Sequence, residues 1–103
     1  MNAYRIEPYK VDILKSTKKG KKLMAIFYDE NDDKIKIIHF GAAGFSDFTI
    51  HKDENRKQRY IERHKVKEKW NDPMTAGSLA VHILWNKKTL KSSIKDFKKK
   101  FNL

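Results

Sequence analysis

The chain has 103 residues and no cysteine, enough for one domain with a modest core, and disulfides and thiolate metal sites are excluded. Its 24 Lys and Arg against 13 Asp and Glu give a formal net charge of +11, and its pI is near 9.9. Such a surface concentrates polyanions: nucleic acid, an anionic membrane or an acidic protein. No apolar run approaches the roughly 18 residues of a membrane span, and MNAYRIEPYK lacks the apolar core of a signal peptide. The expectation is therefore a soluble, intracellular protein that is not secreted.

The first half reads as strands. YRIEPYKVDIL, KKLMAIFYD and KIKIIHF are short runs rich in β-branched and aromatic residues, each bounded by turn residues. In the first, Tyr9, Val11 and Ile13 alternate with Lys10 and Asp12, the period of a strand with one wet face. STKKG and ENDD are short enough for hairpin turns, so the three runs predict an antiparallel meander. Pro8 assigns the first strand to an edge or a bulge. Phe45 and Phe48, either side of Ser46 and Asp47, are expected to pack the strand-to-helix crossing onto the core; an exposed apolar pair there would point to a protein interface.

The second half reads as three helices. Asp53 is a capping residue for a helix from Glu54 to about Trp70, and Asp72 with Pro73 suggests a second start. That second helix, carrying AGSLAVHILW, is apolar nearly all round and is expected to be the most buried. A third begins near Thr89, where Leu90, Ile94, Phe97 and Phe101 form one apolar stripe. Trp70 and Trp85 flank the NDPMTAG connection and read as anchors between helices. The predicted fold is α+β: a three-stranded antiparallel meander (1–45) followed by three helices (53–103) packed on the sheet, in a single domain of 1–103.

Charge follows the same division. Residues 1–52 hold 10 basic and 7 acidic side chains, whereas residues 53–103 hold 14 and 6, so the helical half carries most of the excess. In SDFTIHKDENRKQRYIERHK and the two residues after it, Arg56, Arg59, Arg63 and Lys67 follow steps of 3, 4 and 4 and line one face of a continuous helix. They would form a basic ridge about 16 Å long. Arginine suits phosphate because its planar fork can bond two oxygens together. Tyr60 and His64 lie beside the ridge and could stack or hydrogen-bond, and Tyr60 is the favoured base-stacking residue. Lys91, Lys95, Lys98 and Lys99, away from the apolar stripe of the last helix, form a second contact surface.

The same stretch lacks the pattern of an enzyme. His51 and His64 are 13 residues apart, whereas helical zinc ligands fall 3 or 4 apart. Ser46 and Asp47 are not in a nucleophile elbow, and GAAG lacks the G-K-[ST] ending of a phosphate loop. No catalytic residue, metal or cofactor is expected. His39 and His82 sit among apolar neighbours as core or boundary residues, and His51 and His64 read as helix-start and surface residues.

HFGAAGFSDFTIHKDENRKQRYIERHK, then WNDPMTAG, then ILWNKKTLKSSIKDFKKKF, resembles a family of short, uncharacterised basic proteins encoded by large double-stranded DNA viruses of algae and amoebae. The resemblance covers about residues 39–101; the N-terminal strands are less diagnostic. The chain departs from the pattern at Lys88, where Pro is usual, and near Ala80 and Val81, where a basic residue is usual. The resemblance implies a viral source and a place in the virion or the replication factory, and no activity. Together with the charge it gives two expectations: non-enzymatic, sequence-independent nucleic-acid binding, with DNA as the expected partner, in genome condensation, packaging or factory organisation; or a minor capsid or cement protein that binds acidic protein surfaces.

Overall fold

The computed structural model describes residues 6–103, and it has the α+β arrangement expected from the sequence. Three strands, β1 (Lys10–Lys15), β2 (Lys21–Tyr28) and β3 (Lys34–Ala42), form an antiparallel meander in the order β1-β2-β3. Lys10 pairs with Tyr28 and Lys15 with Leu23; Lys21 pairs with Ala42 and Leu23 with Phe40. Both connections are tight turns of the residues expected. The first closes at Gly20 with φ +86°, and the second is held by the Asp29 carboxylate, which accepts from the backbone of Asn31 and Asp33. Pro8 precedes an edge strand, where a missing N–H costs no ladder bond. The bulge lies elsewhere, between β2 and β3 at Phe27 and Tyr28. Tyr4 and Arg5 of the first predicted strand lie outside the described residues.

Strand alternation divides the sheet into two faces. Val11, Ala25, Phe27 and Phe40 point inward and are buried with Met74, Leu79, Ile83, Leu84 and Phe97 in one core. On the opposite face, register brings Leu14 beside Met24 and Ile26 beside Ile37. Leu14 and Ile37 there are each 47% exposed.

Four helices follow, one more than the sequence predicts: α1 (Phe48–His51), α2 (Glu54–His64), α3 (Ala76–Leu79), which runs directly into a π-helical turn (Ala80–Leu84), and α4 (Leu90–Phe101). Asp53 caps α2 as expected, accepting from Asn55 N and Arg56 N, and α4 starts where expected, with Thr89 as its cap accepting from Ser92 N. Asp72 and Pro73 do not start the next helix. Asp72 accepts from Met74 N in a turn, and Thr75 is the cap, accepting from Ser78 N. The π turn widens the helix at its buried end, where Trp85 N donates to Ala80 O at 3.2 Å.

The predicted helix to Trp70 stops six residues early, at His64. Beyond it the Glu68 carboxylate pairs with His64 Nδ1 at 3.1 Å and accepts from Trp70 Nε1 at 2.8 Å. It lies against Gly77, where an added Cβ would stand 2.8 Å from the Glu68 carboxyl carbon. Phe97 and the fully buried Ser93 seat α4, and the Ser93 hydroxyl both accepts from Lys87 N and donates to Lys87 O. Among the described residues no helix is long and apolar enough to cross a membrane.

Gly41 and His82 make the packing testable. Gly41 has φ +79°, and a Cβ there would come within 2.7 Å of Leu84 Cδ1. Gly41→Ala adds left-handed strain to overpacking and should cost about 2–4 kcal/mol, measured by urea denaturation. His82, as expected a boundary residue, faces Trp70 O at 2.8 Å through Nε2; burial pushes its pKa below the ordinary 6.5, with Lys100 adding to the shift and the Trp70 bond and Asp96 opposing it. A depressed folded pKa means the unfolded chain binds the proton more readily. Its contribution is thus present above about pH 6.5 and lost as pH falls through the folded pKa. Melting temperature should fall on that side, and His82→Gln, which can still donate to Trp70 O, should flatten the fall.

Candidate nucleic-acid interface

α2 buries none of its residues fully, so its attachment to the body must come from something other than an apolar core. It comes from rings. Tyr60 of α2 stacks on Trp85, just past the π turn, with centroids 4.2 Å apart and planes 4° from parallel. His64 stacks on Tyr60 at 4.2 Å, and His51 at the end of α1 meets Trp85 at 5.3 Å. The result is a column, His51–Trp85–Tyr60–His64, that joins α1, α2 and the π turn. Trp85 is therefore an anchor as expected, whereas His51 and His64 belong to the column and are not simple surface residues.

Polar contacts complete the attachment. Lys57 does not pair locally with Asp53; its ammonium donates to Asn86 O at 2.7 Å and lies 4.9 Å over the Phe48 ring. His51 Nδ1 accepts from Asp53 N at 2.9 Å, fixing the short link between α1 and α2.

Between α2 and the end of the sheet lies a cleft of about 490 Å³. Arg56, Tyr60, Arg63 and His64 line it from α2, Leu84 of the π turn and Trp85 just past it from the helical side, and Lys22, Phe45 and Asp47 from the sheet side. Asp47 is 2% exposed and caps α1 through Thr49 N, and Lys22 pairs with its other oxygen. The one carboxylate of the lining is thus neutralised by its own lysine. Among the described residues neither Arg56 nor Arg63 is held in an ion pair. Both guanidinium groups remain open to an incoming anion.

The fold brings together four of the ten predicted contact residues: Arg56, Tyr60, Arg63 and His64. Arg59 stays exposed on α2 but does not line the cleft. Lys67 leaves the ridge, because α2 ends at His64 and Lys67 lies in the turn beyond it. From Arg56 to Arg63 the ridge measures about 10 Å, shorter than the sequence suggests. Lys91, Lys95, Lys98 and Lys99 share one flank of α4, and none lines the cleft.

Tyr60 also differs from expectation. Trp85 and His64 both stack on it at 4.2 Å, so they must occupy opposite faces, and no ring face remains for a base. Burial, with the Glu68 charge adding to it, pushes its phenol up to about 12. Phe45 is the free aromatic: it is 72% exposed at the cleft, whereas Phe48 is 1% exposed in the interior. The two phenylalanines expected to act as a pair thus separate. Sequence spacing could not have found Lys22, Phe45 and Trp85 as neighbours of α2, since only the folded chain joins them.

A larger opening of about 640 Å³ lies near Tyr9, Asn71 and Phe101. Its one lining cation, Lys10, is paired with Asp32 at 2.8 Å, whereas the smaller cleft has two arginines outside ion pairs among the described residues. Among the described residues no three His, Asp or Glu converge as a metal would need.

Residues 11–64 match a family of unknown function, DUF5754, over more than half of the chain. The protein belongs to this family. The DUF5754 match runs from the sheet, the part that the sequence resemblance left less diagnostic, to the last residue of α2. It takes in Lys22, Phe45, Asp47, Arg56, Tyr60 and Arg63 of the cleft and leaves Leu84 and Trp85 outside. No curated protein and no solved structure matches the chain.

Replacing Trp85 by Ala should release the ring column. Tyr60 would gain water on one face, and its phenol should titrate below about 12, toward the ordinary 10.0, in an ultraviolet absorbance titration. A raised folded pKa in the parent gives stability that is present below pH 10 and lost as pH rises through 12, and the variant should lose this dependence.

Proposed function

We propose that the protein is a non-enzymatic, sequence-independent nucleic-acid-binding protein whose binding surface is the cleft of α2. The observation that carries this reading is the pairing of two arginines free of ion pairs, Arg56 and Arg63, with an exposed aromatic, Phe45, around one concave site. Arginine forks bind phosphate oxygens, and aromatic rings accept bases of any identity. Phosphate contacts position a strand without reading it. The lysines of α4 and Arg59 add long-range attraction, consistent with the net charge of +11.

The resemblance to short basic proteins of large DNA viruses supports a viral setting. Genome condensation, packaging or factory organisation would use this binding mode, and DNA is the favoured polymer. A second reading, a minor capsid or cement protein, draws support from the outer sheet face, where Leu14 beside Met24 and Ile37 beside Ile26 are half exposed. Its mark would be retention on shell fragments after nuclease digestion of disrupted virions.

The experiment is a salt series with random-sequence DNA oligonucleotides from about 50 to 200 mM, in which log affinity should fall linearly with log salt. Arg56→Ala with Arg63→Ala should reduce the slope by about 0.7–0.9 for each phosphate no longer neutralised, and should weaken binding to every sequence alike. An unchanged slope removes the cleft from the interface. No binding at the lowest salt overturns the reading and favours a protein partner.

A further inference from the structure

Phe45 has no structural work to do where it stands. The Ala42–Phe45 turn, closed by Phe45 N donating to Ala42 O at 3.3 Å, lifts the ring out of the core, with Gly44 at φ +88°. The side chain next in line to fill the interior, Phe48, does so instead. An exposed phenyl ring in the wall of a cationic cleft is poorly suited to an aliphatic protein side chain, because burying the neighbouring guanidinium groups without anions is costly. A ligand that is flat and apolar at one point and anionic a few ångströms away satisfies both demands.

Resting on the nucleic-acid reading, we infer that the cleft selects unpaired nucleotides, with one base stacked on Phe45 and the adjoining phosphates held by Arg56 and Arg63. Tyr60 and Trp85 are stacked on one another, leaving Phe45 as the aromatic with a free face. The cleft, at about 490 Å³, is of a size that encloses one small-molecule-sized unit. In a duplex the base faces cover one another, so only a single strand can present one to Phe45.

Simple electrostatics favours the opposite order. A duplex carries the denser charge, so a surface acting through charge alone binds the duplex better. Preference for a single strand would therefore report the aromatic contact.

The test measures fluorescence anisotropy with a labelled 15-nucleotide oligothymidine and a 15-base-pair duplex at about 50 mM salt. The single strand should bind at least about tenfold more tightly. Phe45→Ala should weaken single-strand binding by about 5- to 150-fold and duplex binding by much less, so that the preference is lost, while Phe45→Trp retains it. Because the ring is exposed, an unchanged melting temperature should accompany both substitutions. Equal or duplex-favoured binding, or indifference to Phe45→Ala, overturns this inference and leaves the broader reading intact. Failure to bind either oligonucleotide overturns both.

Discussion

The stack of Tyr60 on Trp85 is the contact on which the candidate site depends. α2 is exposed along most of its length and contributes no fully buried residue, so ordinary core packing does not set its position. A parallel ring pair at 4.2 Å, extended by His51 and His64, does so. Aromatic contacts of this kind contribute about 0.5–1.5 kcal/mol each beyond the area they bury. Several in series can hold a helix that is otherwise too polar to dock. The arrangement leaves the basic face of α2 facing a cleft, where a helix held by a broad apolar stripe would turn its basic face to open solvent.

The π turn is part of the same device. Its wider hydrogen-bonding pattern carries Leu84 into the core and the cleft wall and delivers Trp85 to α2. Gly41 lets β3 pass close to that turn, since any side chain there would meet Leu84. The sheet end, the π turn and α2 therefore depend on one another for their spacing. Past the end of α2, Glu68 ties His64 to Trp70 and rests on Gly77.

Electrostatic separation gives the cleft its character. Asp47 is nearly fully buried, but its oxygens are engaged by Lys22 and by Thr49, so its charge is met within the fold. Removing the lysine alone would leave an uncompensated buried carboxylate, a costly state. Arg56 and Arg63 are not used in this way. In the lining of the cleft, Lys22 is thus engaged within the fold, while Arg56 and Arg63 are outside ion pairs among the described residues.

Much of the architecture was legible in the sequence because its cues are local. Alternation in Val11 and Ile13, the turn residues of STKKG and ENDD, the capping chemistry of Asp53 and the apolar stripe of the last helix act over a few residues, and the meander and the starts of α2 and α4 follow from them. The basic character of α2 was legible for the same reason. What only the tertiary structure decided depends on distant partners. α2 ends at His64, and the chain beyond it is engaged by Glu68 with Trp70 and Gly77, so Lys67 left the ridge. Tyr60 has no free ring face because Trp85 closes one and His64 the other, and Phe45 stands exposed because the turn at Gly44 lifts it from the core that Phe48 fills. Sequence patterns record what a residue can do with its neighbours in the chain; which ring faces stay open is settled only when elements far apart in the chain pack together.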